Sequence, residues 1–309
     1  MSHLHILVTG GTGFIGRALC AALLKTGYRV TVLSRQPAAV VQQLCGQAVQ
    51  VCNDLRQWQA PPQRVDAVIN LAGAPIVDRP WTASRKKILW ESRVTLTQQL
   101  IEWIAAVPHK PTVLLSGSAI GYYGDCGDRP LEDHAPAADA DSDFGAKLCH
   151  AWEQAALTAE RHGVRVCCLR TGLVLHPSGG LLQRMQFPFQ LGLGAQLGSG
   201  KQWMSWIHRD DYVEILLQLL THSDARGAYN LTAPNPVTNA EFTRTLANSL
   251  HRPSFLTFPT WLLQPLLGER APLLLGGQRV LPSHVQAMGY RYRYPTLELA
   301  LEGKPIKKG

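Results

Sequence analysis

The sequence predicts an α/β fold, in which a doubly wound parallel sheet is followed by a smaller C-terminal α/β domain. Three observations predict it. Short, nearly continuous apolar runs recur at the spacing that strand–helix–strand units require, helical patterns lie between them, and a glycine cluster follows the first run. A chain of 309 residues, 46% hydrophobic and 17% charged, can also bury a core large enough for such a sheet.

The first strand–helix–strand unit lies at the start of the chain. A β-rich run at 4–9 precedes the glycine cluster, a helical pattern at 14–26 ends at Gly27, and a second β-rich run covers 29–33. Gly10 permits a tight turn, Gly13 lets the backbone approach a pyrophosphate, and Gly16 allows close helix–strand packing. An ordinary glycine-rich turn is the competing interpretation, but the position between strand and helix favours a dinucleotide-binding Rossmann domain.

The end of the second run indicates which dinucleotide binds. NAD-binding proteins usually carry an acidic residue there for the ribose 2′-hydroxyl, whereas this chain has Ser34 and Arg35. A guanidinium can pair bidentately with a 2′-phosphate, so the sequence predicts NADP as the cofactor. The alternative is that Arg35 is only a solvated surface charge.

The same patterns predict further strands and two long helices. The helices cover 82–106 and 142–161, and the strands cover 48–52, 65–73, 112–118, 164–170 and 228–231. Ligands of such sheets bind outside the carboxyl ends of the strands. One cleft should therefore be lined by Asp54, Leu71, Ala72, Gly73 and residues 116–118.

This order of elements predicts a division into two parts. Residues 1–175 form the predicted NADP-binding Rossmann domain, to which a late strand near 228–232 returns. Residues 176–309 form the predicted substrate side.

Composition argues against several classes of partner. The net charge of +8 is scattered apart from a tail with Lys304, Lys307 and Lys308, and no basic stripe alternates with aromatic residues, so no nucleic-acid partner is predicted. Seven cysteines without a C-x-x-C pair fit a reducing compartment. With neither a signal peptide nor an apolar stretch of bilayer-spanning length, the sequence predicts a cytoplasmic protein without a membrane partner. The histidines lack metal-ligand spacing, so no metal is predicted.

Several motifs together resemble a known superfamily. TGGTGFIG at 9–16, NLAG at 70–73, SGSA at 116–119 and WIHRDD at 206–211 are similar to those of extended short-chain dehydrogenases/reductases. WESR at 90–93, the D-F-x-x-x-L-C-x-x-W-E run at 143–153, RTGLVL at 170–175 and the segment at 188–208 narrow the resemblance. They resemble the atypical, YfcH-like branch of NAD-dependent epimerase/dehydratase-like proteins known as "epimerase family protein". The resemblance covers nearly the whole chain, including a small family-specific domain of unassigned role at about 250–297.

The resemblance implies where the cofactor is held. It implies NADP contacts in the glycine loop, after the second strand, after the 65–73 run, at Arg93 and near Val174. Arg93 stands where most of the superfamily has an asparagine; a cation beside the cleft could hold a phosphate or ribose, and a helix-surface charge is the alternative. Gly16 and Gly73 join this set because of their positions in the glycine loop and the cleft. The predicted cofactor residues are therefore Gly10, Gly11, Thr12, Gly13, Phe14, Ile15, Gly16, Ser34, Arg35, Leu71, Ala72, Gly73, Arg93 and Val174.

The reaction residues of the superfamily are only partly present. The superfamily uses a tyrosine as proton donor, a lysine one helical turn later, and a serine that polarises the substrate oxygen. Ser118 matches the serine and Lys147 can match the lysine, but Asp143 then stands at the tyrosine position. Another register puts Gly145 and Cys149 at the two positions, and the tyrosine is absent from both.

Other side chains could take the missing role. Tyr122 and Tyr123, just beyond the strand that carries Ser118, could supply a phenol, with aromatic packing as the alternative. Asp143 is more readily explained as a cap of the helix N-terminus, a role that Ser142 could also fill, because a free aspartate with a pKa near 4 is a poor donor. The predicted catalytic candidates are Ser118, Tyr122, Tyr123 and Lys147.

The C-terminal part supplies the other wall of the predicted pocket. A glycine-rich loop at 192–200 could close over a substrate, and Trp203, Trp206 and His208 follow it. His208 could act as an acid or base, or it could make a structural hydrogen bond. Thr238 with Glu241 has the spacing of a capping box, a purely structural role.

Two functions follow from these features. The leading hypothesis is an NADP(H)-dependent oxidoreductase or epimerase acting on a small carbonyl, hydroxyl or nucleotide-sugar-like substrate. The rival, suggested by the absent tyrosine, is a non-enzymatic NADPH-binding or sensing protein. An acid positioned near the nicotinamide would separate them. From the resemblance alone, a homodimer through the two long helices is also expected.

Overall fold

The fold is seen in a computed structural model that describes residues 4–58, 64–139 and 143–303. Two features singled out in the sequence lie outside these residues: Ser142, one of the two candidate helix caps, and the basic tail with Lys304, Lys307 and Lys308.

The core of the protein is a seven-stranded sheet in which each hydrogen-bonded pair of strands is parallel. Its strands are β1 (His5–Thr9), β2 (Arg29–Leu33), β3 (Gln50–Cys52), β4 (Ala67–Asn70), β5 (Val113–Ala119), β7 (Arg165–Thr171) and β12 (Gly227–Leu231). They lie in the order β12-β7-β5-β4-β1-β2-β3, so the chain winds outward from β1 in one direction and then in the other. This confirms the predicted doubly wound Rossmann sheet, with the switch point between β1 and β4.

Within the described residues, eight short strands pair outside this sheet. They are β6 (Pro130–Leu131), β8 (Leu173–His176), β9 (Ala195–Leu197), β10 (Trp203–Met204), β11 (Trp206–His208), β13 (Val237–Thr238), β14 (Leu256–Phe258) and β15 (Arg279–Val280). The pairs are β6 with β15, β8 with β11, β9 with β14, and β10 with β13. The pairs of β6 with β15 and of β8 with β11 join the predicted 1–175 and 176–309 parts of the chain, and the other two pairs lie within 176–309.

Helices cover both faces of the central sheet, as its near-continuous apolar strands require. The described helices are α1 (Phe14–Lys25), α2 (Ala38–Cys45), α3 (Ala83–Trp90), α4 (Leu96–Ala106), α5 (Phe144–Leu157), α6 (Gly180–Gln190), α7 (Arg209–Thr221), α8 (Asn239–Ser249), α9 (Thr260–Leu267), α10 (Ala271–Leu275), α11 (Ser283–Ala287) and α12 (Leu297–Glu302). Helices α1, α2 and α7 share one buried cluster with the sheet, and α4 and α5 share the other. Helix α7 therefore packs with the sheet, although it lies within the 176–309 part of the sequence.

The long helix predicted at 82–106 is present but changes its winding in the middle. A π-helical segment, Glu91–Thr95, joins α3 to α4 without a break. Such wider turns occur frequently at functional sites because they alter the direction of the side chains they carry. Arg93, one of the predicted cofactor residues, lies within this segment.

Among the described residues, no helix is both long and apolar enough to cross a membrane.

Candidate functional site

The glycine loop between β1 and α1 is held in a shape that only glycine allows. Gly10 has a φ of 69°, and a Cβ atom added there would lie 2.6 Å from the carbonyl oxygen of Leu71. A Cβ atom at Gly16 would overlap the carbonyl oxygen of Gly10. The loop is therefore packed between the first turn of α1 and the segment that follows β4, which brings two predicted cofactor segments together.

The N-terminus of α1 offers free backbone donors beside this loop. Gly13 is the N-cap, and no side chain caps the helix. The first N–H groups of a helix lack intrahelical partners and carry the positive end of the helix dipole. An uncapped, glycine-lined N-terminus is therefore suited to bind a pyrophosphate.

The end of β2 carries a free cation. The Ser34 hydroxyl accepts a hydrogen bond from the Gln36 N–H at 3.1 Å, and the Ser34 carbonyl accepts one from Asn53 Nδ2 at 2.8 Å, so the turn is well braced. Arg35 beside it is exposed and has no hydrogen bond or ion pair with any described residue. Its guanidinium is available for an anionic ligand.

A buried chain of hydrogen bonds fixes the end of β4. Thr9 Oγ1 donates to Asn70 Oδ1 at 2.6 Å, and the Ala72 N–H donates to the same hydroxyl at 3.1 Å. Asn70 Nδ2 donates to Thr97 Oγ1 at 2.8 Å, which also accepts from Trp152 Nε1 at 3.1 Å. Because all these groups are satisfied within the protein, residues 71–73 are held rigidly at the edge of the sheet.

Arg93 lies directly against Gly73. A Cβ atom at Gly73 would lie 2.9 Å from Cζ of Arg93, whose Nη2 donates to the Ala74 carbonyl at 3.0 Å. The guanidinium also lies 5.3 Å from the centre of the Trp152 ring. Burial lowers the pKa of Arg93, although not enough to remove its charge at neutral pH. Arg93 is thus a half-buried cation at the cleft rather than a solvated helix charge.

Val174 lies on the far side of the glycine loop. It belongs to β8, and its carbonyl oxygen would lie 3.2 Å from a Cβ atom at Gly180. The Phe14 ring packs against Gly179 and Gly180. The structure therefore brings the start of α1 and the turn after β8 together, and the NADP contact near Val174 stays a prediction.

Ser118 is at the predicted end of β5, but its hydroxyl does not lie free in a cleft. The side chain is buried and donates to Glu153 Oε1 at 2.6 Å. Arg170 binds the same carboxylate through two 2.9 Å hydrogen bonds, from Nε to Oε1 and from Nη2 to Oε2. Burial acts to lower the pKa of Arg170, and the hydrogen bonds to Glu153 outweigh it, so the pKa lies above its ordinary value.

The Arg170 guanidinium also ties both tyrosines to this network. Its Nη1 donates to the Tyr123 hydroxyl at 2.8 Å, and that hydroxyl donates to Asn230 Oδ1 at 2.7 Å. Tyr123 is buried, and burial raises its pKa to about 12. The Tyr122 ring lies 3.6 Å from Arg170 Cζ, and burial also raises the pKa of Tyr122. Tyr123 is thus fully engaged, whereas Tyr122 is only partly buried.

The first turns of α5 distinguish the two possible alignments with the superfamily's tyrosine and lysine, which are Asp143 with Lys147 and Gly145 with Cys149. Lys147 lies on the exposed face of the helix, so the structure does not bring it to the Ser118 network. Gly145 and Cys149 lie on the buried face, and a Cβ atom at Gly121 would lie 3.7 Å from Cys149 Sγ. The register that faces the end of β5 therefore has glycine and cysteine in place of tyrosine and lysine. Burial raises the pKa of Cys149 to about 12, so it is a neutral thiol.

Asp143 is the N-cap of α5. Its Oδ1 accepts the Ala146 N–H at 2.8 Å, which confirms the capping interpretation. Thr238 and Glu241 likewise form the predicted capping box at the start of α8.

His208 has a structural hydrogen bond. It is buried at the N-cap of α7, where Nδ1 accepts the Asp210 N–H at 3.2 Å, and its ring stacks on Tyr294 at 3.6 Å. Burial lowers the pKa of His208 to about 4, so the ring is neutral at physiological pH. Potential metal-ligating atoms of His176, His208 and Asp210 lie within 4.8 Å of one another. Arg209 Nη2 contacts His176 Nε2 at 2.8 Å, and this cation disfavours a metal ion there.

A cavity of about 660 Å³ opens between the β5 side and the C-terminal helices. Its lining includes Tyr123, Asp125 and Asp143, together with Thr260 and Gln264 of α9. Its volume suits a small organic molecule.

Sequence reasoning missed Glu153, Arg170 and Asn230, which complete the network around Ser118. The spacing of Glu153 could have revealed it. Glu153 lies one helical turn after Cys149 and directly after Trp152, which puts it on the buried face of α5. Charged residues are almost never fully buried unless paired, so a carboxylate on that face required a buried cation.

Two family models match the chain. The NAD dependent epimerase/dehydratase family matches residues 6–232, and a domain of unknown function, DUF1731, matches residues 258–303. The second match includes α9 and α10, which line the cavity.

Known proteins and solved structures that resemble this chain agree with the match to the epimerase/dehydratase family. The chain is 38% identical over 304 residues to the epimerase family protein SDR39U1 homolog, chloroplastic, of Arabidopsis thaliana, covering 97% of this chain and 86% of that protein. It is 36% identical over 301 residues to the epimerase family protein SERP0438 of Staphylococcus epidermidis, covering 96% and 97%. The crystal structure of human epimerase family protein SDR39U1 (isoform2) with NADPH matches with a TM-score of 0.86 and 35% identity, covering 97% of this chain and 98% of that one. A UDP-galactose 4-epimerase structure matches with a TM-score of 0.71 and 20% identity, a likeness of fold alone.

Proposed function

Because this chain belongs to the NAD dependent epimerase/dehydratase family, we propose that it binds NADP(H) and uses NADPH to reduce a carbonyl group, or NADP⁺ to oxidise a hydroxyl group, of a small substrate. The substrate would lie in the cavity of about 660 Å³, beside α9. The proposal keeps residues 1–175 as the cofactor part and 176–309 as the substrate part. The cytoplasmic location and the homodimer expected from the sequence remain predictions.

The observation that carries the proposal is the set of donors around the glycine loop. The uncapped N-terminus of α1 can accept the pyrophosphate, and the close packing of Gly10 on Leu71 leaves no room for a side chain there. Arg35 supplies a cation for a 2′-phosphate, and Arg93 supplies a second, half-buried cation against Gly73. When bound, the reduced cofactor NADPH would supply a hydride and the oxidised cofactor NADP⁺ would accept one.

The remaining chemistry falls to this chain's own residues. The Ser118 hydroxyl is committed to Glu153, and the Tyr123 hydroxyl to Arg170 and Asn230. Tyr122 is the candidate that can present a phenol from this side, since it is only partly buried and its raised pKa keeps it protonated at neutral pH. We therefore assign Tyr122 as the proton donor for a substrate that reaches from the cavity past its chain neighbour Tyr123, which lines the cavity, and we assign the Ser118–Glu153–Arg170 network as the support that fixes the Tyr122 ring.

The second candidate function is NADPH binding without turnover. It is favoured by Gly145 and Cys149, which stand at the buried α5 positions where the superfamily has its tyrosine and lysine. Neither a glycine nor a thiol with a pKa of about 12 can do the work of that pair.

A single set of assays distinguishes the two. NADPH binding is measured by its fluorescence, and NADPH oxidation by absorbance across aldehydes, ketones and nucleotide sugars. Turnover that falls about a hundredfold in Tyr122→Phe with unchanged NADPH affinity would support the enzymatic proposal, since general acids typically contribute 10²–10⁴-fold. Tight NADPH binding with no turnover across the panel would support the binding-only function.

A further inference from the structure

The exposed large hydrophobic side chains of the protein are concentrated in one place. Eight of the eleven in the described part of the chain lie on or beside α6, β14 and α9. We call this set the apolar face; it consists of Phe187, Leu191, Leu193, Phe255, Phe258, Trp261, Leu262 and Leu266. Scattered surface hydrophobics need no explanation, but a contiguous group marks an interaction site.

Three contacts show that the segments of the apolar face adjoin one another. Arg252, three residues before Phe255, donates from Nε to the Gln190 carbonyl at 2.7 Å at the end of α6. Strands β9 and β14 pair in parallel with Leu197 opposite Phe258. Helix α9 follows β14 after one residue, Pro259.

Helix α9 carries large apolar side chains that the protein core does not use. Leu263 is buried, and Thr260 and Gln264 line the cavity. Trp261 and Leu266 are nevertheless 74% and 73% exposed. One helix thus contributes to the core, to the cavity and to an uncovered apolar surface.

The charge around the apolar face indicates what covers it. The sequence has no aspartate or glutamate from 173 to 209 or from 242 to 268, the two stretches that contain the whole face. Arg252 is exposed in the second stretch, next to His251, and the chain carries a net charge of +8. Asp78, which contacts α6, and Glu269, which follows α9, are each paired with a cation, Arg184 and Lys86. A second copy of the same face would bring like charges together, whereas an anionic surface would pair with them.

We propose that the apolar face binds the surface of a bilayer that contains anionic phospholipids. Trp261, Phe255 and the leucines enter the boundary between headgroups and acyl chains, while Arg252 pairs with phosphate. This departs from the sequence-based expectation of no membrane partner. The apolar face is assembled from separate segments of the chain, and none of them is long or basic enough to indicate a membrane contact by itself.

The test is flotation of the full-length protein with vesicles. Vesicles of phosphatidylcholine and phosphatidylglycerol in equal parts should bind the protein, and vesicles of phosphatidylcholine alone should bind it at least several-fold less. Trp261→Ala with Leu266→Ala should weaken binding to the mixed vesicles by about tenfold or more, since two apolar side chains no longer leave water. Arg252→Gln should weaken only the phosphatidylglycerol-dependent part, by about fivefold, since each basic residue near such a surface contributes about 1 kcal/mol.

Val40→Ala and Ile88→Ala are matched controls, because both residues are exposed hydrophobics outside the apolar face. These variants should bind like the wild type. Equal binding by the controls and by the Trp261→Ala, Leu266→Ala variant would overturn the proposal. So would a protein that ignores both kinds of vesicle but sediments as a dimer that Trp261→Ala with Leu266→Ala dissociates, because the face would then be an interface between two copies.

Discussion

The two sides of the central sheet's carboxyl edge differ in how their polar groups are satisfied. Around β1, β2 and β4 the Thr9–Asn70 pair is satisfied within the protein, but the start of α1 has no side-chain cap and the exposed Arg35 has no partner among the described residues. Around β5 and β7 the polar groups satisfy one another, with Ser118 on Glu153 and Glu153 on Arg170. Hydrogen-bond donors without protein partners at the edge of the sheet can bind a ligand, whereas a buried network whose members satisfy one another holds the surrounding structure in place. The difference teaches that the cofactor side is built to receive a ligand and that the reaction side is built to hold its shape.

The largest expected effect comes from opening the closed network. Glu153→Gln keeps the volume and one acceptor but leaves the Arg170 charge uncompensated, which should lower the free energy of unfolding by about 3–5 kcal/mol. Urea denaturation measures this. Glu91→Gln is the control, because Glu91 pairs with Lys87 at 3.8 Å on the surface, and its loss should cost under about 1 kcal/mol. A similar small cost for both variants would show that the network is not a support.

The next effect sharpens the description of the cofactor side. Gly10→Ala should lower stability by about 2 kcal/mol and NADPH affinity by about tenfold or more, because the new Cβ would push Leu71 away from the loop. Gly163→Ala is the matched control: its φ is 76°, close to the 69° of Gly10, but nothing lies within 4 Å of its Cβ position. It should cost about 1 kcal/mol of stability from the backbone strain alone and leave NADPH affinity unchanged. If the two variants bind NADPH equally well, the close approach at Gly10 has no part in cofactor binding.

The smallest effect concerns Asp143, the N-cap of α5. Asp143→Ala should cost about 1 kcal/mol because it removes a helix cap, and Asp143→Asn should cost much less because asparagine caps nearly as well. Thermal unfolding of both variants checks this. Cofactor binding should not change in either. An Asn variant that is folded and binds NADPH but has lost turnover would make Asp143 a proton donor and the capping interpretation incomplete.

The sequence predicted the cofactor side better than the reaction side for a physical reason. Gly10, Gly13 and Gly16 act through backbone shape, and their spacing between one strand and one helix is visible in a short segment. The Ser118 network joins β5, α5, β7 and β12, so it depends on contacts between residues up to 107 positions apart. Local patterns do not contain such contacts. The sequence left two registers open for α5, and helical periodicity with Gly145, Leu148, Cys149 and Trp152 on the buried face puts Lys147 on the exposed face.

The central claim, that the open side of the sheet edge is an NADPH site, is tested most directly by calorimetry on Arg35. Wild-type protein should bind NADPH at least about tenfold more tightly than NADH, since a charge-assisted hydrogen bond contributes about 1.5–3 kcal/mol. Arg35→Ala should lose that preference and bind NADH as the wild type does. Arg161→Ala, which removes an exposed arginine that precedes β7, should keep the preference. Equal affinity of the wild type for NADPH and NADH, or a preference for NADPH that survives in Arg35→Ala, would contradict the account.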